Sequence, residues 1–278
     1  MRAYALAIFL AAAECSGRSA TAEPPPAPPG SAADARLVVS GDAEALSGAG
    51  GRDRGGGGSV LGLFSFNSEM VLGAGAEYQQ IANAHWTTGT LSGSFGLGLD
   101  TPDTQIYAEV HEGGGNTGVH PFRYSVAAIG VLTPWTPETS VQIEARRIDV
   151  DTSHGNLPKL SLISLATPNL LATVSYVLSV GGNLGTRLGS ARLDYVSNGF
   201  RAVAGAAGGR VAPVVVNLAG QLEGTGPSLS LAEGFLGVGM PFGRTEWLLL
   251  GDFQDISGTK HTTITLVCTV HLTHGRAQ

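Results

Sequence analysis

From Glu69 onward the chain alternates apolar and polar residues with a period of two. Met70, Leu72, Ala74, Ala76 and Tyr78 share one face; Gly73, Gly75, Glu77 and Gln79 share the other. Ile106, Ala108 and Val110 are set in the same way against Tyr107, Glu109 and His111, and Val141, Ile143 and Ala145 against Gln142, Glu144 and Arg146. Leu170 to Val180 repeats the pattern. The segment near the end is the cleanest, with Ile264, Leu266, Cys268, Val270 and Leu272 opposite Thr263, Thr265, Thr269 and His271. Successive side chains of a strand point to opposite faces, so each segment predicts a β-strand with one apolar and one polar face. No stretch of comparable length has a helical period.

The connections between these segments suggest how the sheet closes. Every second one is short and rich in turn formers, as in Thr133-Pro134-Trp135, Thr167-Pro168-Asn169 and Pro241-Phe242-Gly243, whereas the others run longer, up to 209–227. Short turns at one end and long loops at the other are the pattern of a transmembrane β-barrel. The expected fold is therefore all-β: a closed, antiparallel, up-and-down transmembrane barrel of about twelve strands, with ten to fourteen compatible with the pattern. Both ends of the barrel fall on the short-turn side. Ser59–Phe66 precedes the count and reads as a lead-in or partial plug. Tyr78, Trp86, Trp135, Tyr176, Tyr195 and Trp247 are expected near strand ends or on outward faces, where aromatic side chains form interfacial girdles.

Ahead of the barrel, Arg2, the apolar run Ala3–Ala13 and Ala20-Thr21-Ala22 make up the three parts of a secretory signal peptide, with cleavage expected after Ala22. Cys15 raises a lipid anchor as an alternative, but Glu14 sits where such a signal needs Gly or Ala. Residues 23–58 read as a disordered Pro/Gly-rich linker, from the run of prolines after Glu23 and from Gly55 to Gly58. The barrel domain is then 59–278. The processed chain would keep Cys268 alone, so no internal disulfide staples it. Its formal charge would move from −6 to −7, because Arg2, Arg18 and Glu14 leave with the signal. No basic patch suits nucleic acid. A moderately apolar exported chain without helical spans fits either a barrel in the cell outer membrane or a soluble β-sandwich that binds a ligand.

Nine polar residues fall on the face expected to line the lumen: Glu77, Glu109, His111, Glu144, Arg146, Arg192, Asp194, Arg201 and His271. Mixed signs at scattered positions suit a paired polar interior, and a selectivity constriction is the functional alternative. Catalytic motifs fail on spacing. His111-Glu112 lacks the second His of a zinc-binding H-E-x-x-H and reads as a loop, Ser92 lacks the Gly two positions earlier that a nucleophile elbow needs, and Gly93–Gly98 opens no helix to cradle phosphate. A membrane-embedded lipid-modifying enzyme would have to use His111, Ser179 or His271, and no pairing of nucleophile and base emerges from their spacing. The expectation is a non-enzymatic barrel without cofactor or metal. Its expected partners are outer-membrane lipid and the barrel-assembly machinery, with any solute or polymer undefined.

The stretch from Leu157-Pro158-Lys159 through Gly181-Gly182-Asn183-Leu184-Gly185-Thr186 and Ala191-Arg192-Leu193-Asp194-Tyr195 to Phe200 and Gly205 resembles the YaiO-type outer-membrane β-barrel family. That resemblance implies an outer-membrane barrel with no established enzymatic role. A narrow channel, a polysaccharide-export accessory and a structural envelope component all remain open.

Overall fold

The computed structural model describes residues 34–48, 51–66, 70–97, 104–116, 120–151, 153–182, 185–197, 199–211, 215–216, 222–223 and 229–272. The expected signal peptide, and the linker as far as residue 33, lie outside them. The strands are β1 (Asp34–Gly48), β2 (Gly51–Ser65), β3 (Met70–Ile81), β4 (Ala84–Gly96), β5 (Gln105–Asn116), β6 (Pro121–Thr136), β7 (Thr139–Val150), β8 (Ser153–Thr167), β9 (Leu170–Leu178), β10 (Val180–Gly182), β11 (Arg187–Ser197), β12 (Phe200–Val211), β13 (Val215–Val216), β14 (Leu222–Glu223), β15 (Leu229–Phe242), β16 (Thr245–Ile256) and β17 (Thr259–His271). Apart from the small β13–β14 pair they form one antiparallel sheet. β1 pairs with both β2 and β17, and β8 pairs with β9, so the sheet has no free edge. β10 continues β9 along β8 after a register shift.

With β10 counted as part of β9, the closed ring has 14 strands, not about twelve. The two extra ones are β1 and β2. They occupy residues 34–48 and 51–65, which overturns the reading of 34–58 as linker and of Ser59–Phe66 as a plug. Their alternation is weak because the outward positions Gly41, Ala43, Ala45, Gly56 and Gly58 are small. Glycine costs backbone entropy in a strand, but β2 is held by ladders on both sides.

The register fixes the shape. Directly opposed residues run from Asp34 through Ser65, Val71, Ser94, Tyr107, Gly130, Glu144, Lys159, Val177, Leu188, Gly209, Leu231 and Ile256 to Thr259. Ser47 faces Lys260, so this row re-enters β1 beside Gly48, fourteen residues from Asp34. A shear equal to the strand number sets the strand tilt at about 35° and the backbone radius at about 13 Å. The opposed row climbs one residue per strand, which gives every side chain a height along the barrel axis.

The ring has two unlike ends. β1 begins and β17 finishes at one of them, the chain-end side. The expected rhythm of short and long connections does not hold. At the far end only the stretch between Val211 and Leu229 is long; the others are 49–50, 82–83, 117–120, 151–152, 183–186 and 257–258. The strands continue into segments read as loops, including His111-Glu112, which lies on β5. Where the turns tighten to two residues the backbone turns left-handed, with φ 49° at Ser257 and 89° at Gly258.

The alternation sorts side chains between two environments, inverted relative to a soluble protein. The described residues include 33 exposed large hydrophobic side chains, most of them at outward positions, with Leu91, Ile143 and Leu236 at 65%, 60% and 63%. By the heights above, these fill a belt roughly 20 Å tall, close to the apolar band of a membrane-spanning barrel. An apolar surface of that extent is far beyond the scattered patches of soluble monomers. At the chain-end rim the outward row is aromatic, with Phe64, Phe66, Phe95, Trp135, Tyr195, Phe200, Phe242 and Trp247 all exposed. Tyr78 and Tyr176 are exposed higher up the wall. Trp86 lies near the start of β4, as expected, but points away from the lipid: it is 2% exposed and shares the inward face of β4 with Thr88 and Thr90.

Candidate functional site

A barrel of this radius leaves a lumen that inward side chains can largely fill. Its contents divide into a cap and a polar interior. The cap lies at the end opposite the chain ends, where Ile81, Trp86, Phe122, Tyr124, Val150, Leu231 and Ile256 form one buried cluster, with Leu157, Val177, Leu188 and Val211 completing the ring. They come from most strands of the ring, because each presents an apolar residue inward near that end. Tyr124 anchors its hydroxyl on Thr88, and its ring stacks with Phe122 at 6.4 Å. A smaller apolar cluster of Val203, Leu248 and Val267 lies nearer the chain-end side.

Below the cap, one side of the lumen is organised around Arg146. Its Nε donates to Glu144 Oε1 and its Nη2 to Glu109 Oε1, both at 3.0 Å. Tyr107 donates to Glu144 Oε2 at 2.7 Å and accepts from Gln142 at 2.7 Å. His111 closes the group: its Nε2 is 3.5 Å from Glu109, and its Nδ1 is 3.0 Å from Thr90 Oγ1. A histidine protonated on Nε2 can donate to the carboxylate and accept from the threonine. Gly130, the direct partner of Tyr107, admits the tyrosine ring where a Cβ would collide with it.

A second group sits lower, towards the chain-end side. Arg192 makes a forked pair with Asp194 at 2.6 and 2.8 Å, and Arg201 bridges Asp194 at 3.5 Å and Glu246 at 3.3 Å. Forked pairing fixes the guanidinium plane as well as its charge.

The third group is acid-rich and lines the wall from β15 through β1 to β3. Gln79 donates to Asp42 at 2.9 Å and to Glu77 at 3.1 Å, and His261 Nε2 lies 3.3 Å from Glu44. Glu233, Asp252 and Gln254 face inward beside them. Gln79 and Gln254 are each 1% exposed and His261 4%, yet Gln79 Oε1, Gln254 Oε1 and His261 Nδ1 have no partner among the described residues. Buried polar atoms are normally satisfied, by protein or by ordered water, so these three mark where the polar lumen needs water or a solute.

The structure therefore brings Glu109, His111, Glu144 and Arg146 together in one group and Arg192, Asp194 and Arg201 in another. Glu77 joins the acid-rich wall. His271 faces inward near the chain-end rim, apart from all three. Sequence reasoning misses Asp42 and Glu44 because they fall in the supposed linker, and His261 because it sits close to the Ser257-Gly258 turn, ahead of the alternating run that begins at Thr263. Tyr107 and Gln142 were visible on the polar faces of their strands but carry no charge to single them out. Among the described residues no cluster of three or more His, Cys, Asp or Glu is arranged to hold a metal ion.

No family model and no curated protein matches the chain. Solved structures do. It is similar to the CymD monoaromatic hydrocarbon channel, with TM-score 0.56 and 10% identity over 87% of this chain and 90% of that one. It is also similar to the ΔS2S3 mutant of the TodX monoaromatic hydrocarbon channel, with TM-score 0.57 and 10% identity over 92% and 94%. A bacterial polysaccharide outer membrane secretin gives TM-score 0.53 and 10% identity over 86% and 98%. Cargoes this different on one architecture mean that the likeness carries fold and not cargo. With its closed ring and lipid-compatible wall, the chain is a β-barrel of the outer-membrane type.

Proposed function

We propose that this protein is a non-enzymatic outer-membrane barrel that forms a narrow channel, closed in this conformation by the apolar cap. One observation carries the reading: the cap covers a polar lumen in which Gln79, Gln254 and His261 present buried atoms with no partner among the described residues. A lumen packed only for rigidity would satisfy those atoms internally. An apolar constriction over a wet polar path can gate by dewetting. The end where β1 begins and β17 finishes faces the periplasm, and the cap lies towards the outside; the aromatic rim on the one side and the long Val211–Leu229 connection on the other support this orientation.

Planar-bilayer recording tests the gate. The wild-type barrel is expected to give rare, small openings, and Trp86→Ala with Ile256→Ala to give frequent or lasting ones. If the double variant inserts as a heat-modifiable barrel and still never conducts, the channel reading is wrong.

A further inference from the structure

On the outer wall, charge gathers near the end opposite the chain ends. Arg54, Arg123, Arg147, Arg187, Arg210 and Lys260 are exposed there, above the apolar belt. Arg147 is paired with Asp149 at 2.8 Å on its own strand. Arg187 and Arg210 are differently placed. They are direct cross-strand partners on β11 and β12, both outward. Directly opposed side chains have Cβ atoms about 5 Å apart, where like charges destabilise a sheet. Their outer neighbours in register are Leu178 on β9 and Ser230 on β15, and no acidic residue flanks them on either side among the described residues.

The wall beneath this pair is recessed. One outward step down, Gly189 faces Gly208; at the next, Ala191 faces Ala206. A Cβ added at Gly189 would meet nothing within 4 Å. Tyr176 and Val174 border the recess on β9, opposite Gly189 and Ala191, and Leu236 stands across it on β15, opposite Ala204. Two adjacent guanidinium groups thus stand at the head of a shallow apolar trough that runs down the lipid-facing wall.

We infer that this trough binds a phosphate-bearing membrane lipid, its phosphate between Arg187 and Arg210 and an acyl chain along Gly189, Gly208, Ala191 and Ala206. Guanidinium groups match phosphate oxygens in charge and in forked geometry. A dianionic group between them converts the like-charge contact into a bridge. The trough is apolar and opens towards the bilayer, which fits an acyl chain rather than a soluble anion. The inference rests on the membrane orientation proposed above, which places the arginine pair at the outer leaflet.

The purified full-length barrel in neutral detergent is incubated with lipid A, a bisphosphorylated glucosamine lipid, and bound lipid is counted by native mass spectrometry. The wild type is expected to retain it, and Arg187→Gln/Arg210→Gln to lose at least tenfold in affinity. Gly208→Leu, which fills the trough and leaves the charges in place, is expected to weaken binding as well. Equal binding of the dephosphorylated lipid, equal binding by both variants, or complete competition by inorganic phosphate at equal concentration would overturn the assignment. Gel mobility with and without boiling, run on each variant, separates the two levels: a barrel that shifts on heating but ignores the lipid sinks only this inference, whereas a chain that never shifts sinks the membrane reading beneath it.

Discussion

Arg146 and Arg147 are adjacent on β7, yet they face opposite sides of the wall. The Arg146 side chain is 10% exposed inside the lumen, held between Glu144 at 4% and Glu109 at 23%. Arg147 stands outside at 56% exposure, paired with Asp149. Replacing Arg146 with Met preserves much of the side-chain volume but takes the guanidinium from two largely buried carboxylates, leaving Glu144 with the Tyr107 hydroxyl and Glu109 with His111. Breaking a buried pair in this way costs about 3–5 kcal/mol, most of it the penalty of the charges left behind. Glu109 retains some access to water, which argues for the lower half of that range. Arg147→Met removes one exposed ion pair, and such pairs contribute little; no resolvable change is expected. Urea unfolding of each variant in lipid vesicles, followed by tryptophan fluorescence, measures the difference. A third variant sharpens the reasoning: Glu109→Gln and Glu144→Gln added to Arg146→Met should recover most of the loss, because neutral amides tolerate burial better than orphaned charges. Equal effects at positions 146 and 147, or no recovery in the triple variant, would refute the assignment of inward and outward faces.

Three further outcomes are expected from the same geometry. Gly130→Val should push the Tyr107 ring aside and destabilise the barrel by about 1–3 kcal/mol, whereas Tyr107→Phe keeps the ring in place and should cost less; the same urea titration compares them. Ile143→Arg, at the middle of the exposed belt, should cost about 2–4 kcal/mol in lipid, while Arg at outward Gln80, near the far rim, should cost little. Ile256→Ala in the cap should lower stability by about 2–5 kcal/mol, measured in the absence of any applied voltage so that stability and gating are read separately.

Much of this was legible in the sequence because a strand between lipid and lumen must alternate. In β3, β5, β7, β9 and β17 the outward positions through the belt are apolar and many of them large, so each face announces itself. The signal failed where that contrast fades. In β1 and β2 small residues replace large ones on the outer wall, and Gly55 to Gly58 imitates a flexible linker, although Gly57 is needed for close approach to Gln79. Strand ends were also misjudged, because turn-forming residues such as Gly113 to Gly115 sit inside β5. Gly113 and Gly115 lie against the Tyr124 ring and Trp86, so a residue type that usually marks a loop here makes room for the cap. The ion-pair groups were visible only as inward polar positions. Which of them meet depends on register across strands far apart in sequence, and alternation alone does not reveal register.

Closure of the ring in the membrane is tested most directly by the electrophoretic mobility of the protein extracted from the outer-membrane fraction, with and without boiling. A closed 14-stranded barrel presents no unpaired strand edge to detergent, so the unheated protein should migrate as a compact species and shift on heating. A protein recovered in the soluble fraction, or one whose mobility is the same before and after boiling, would contradict a membrane-spanning closed barrel.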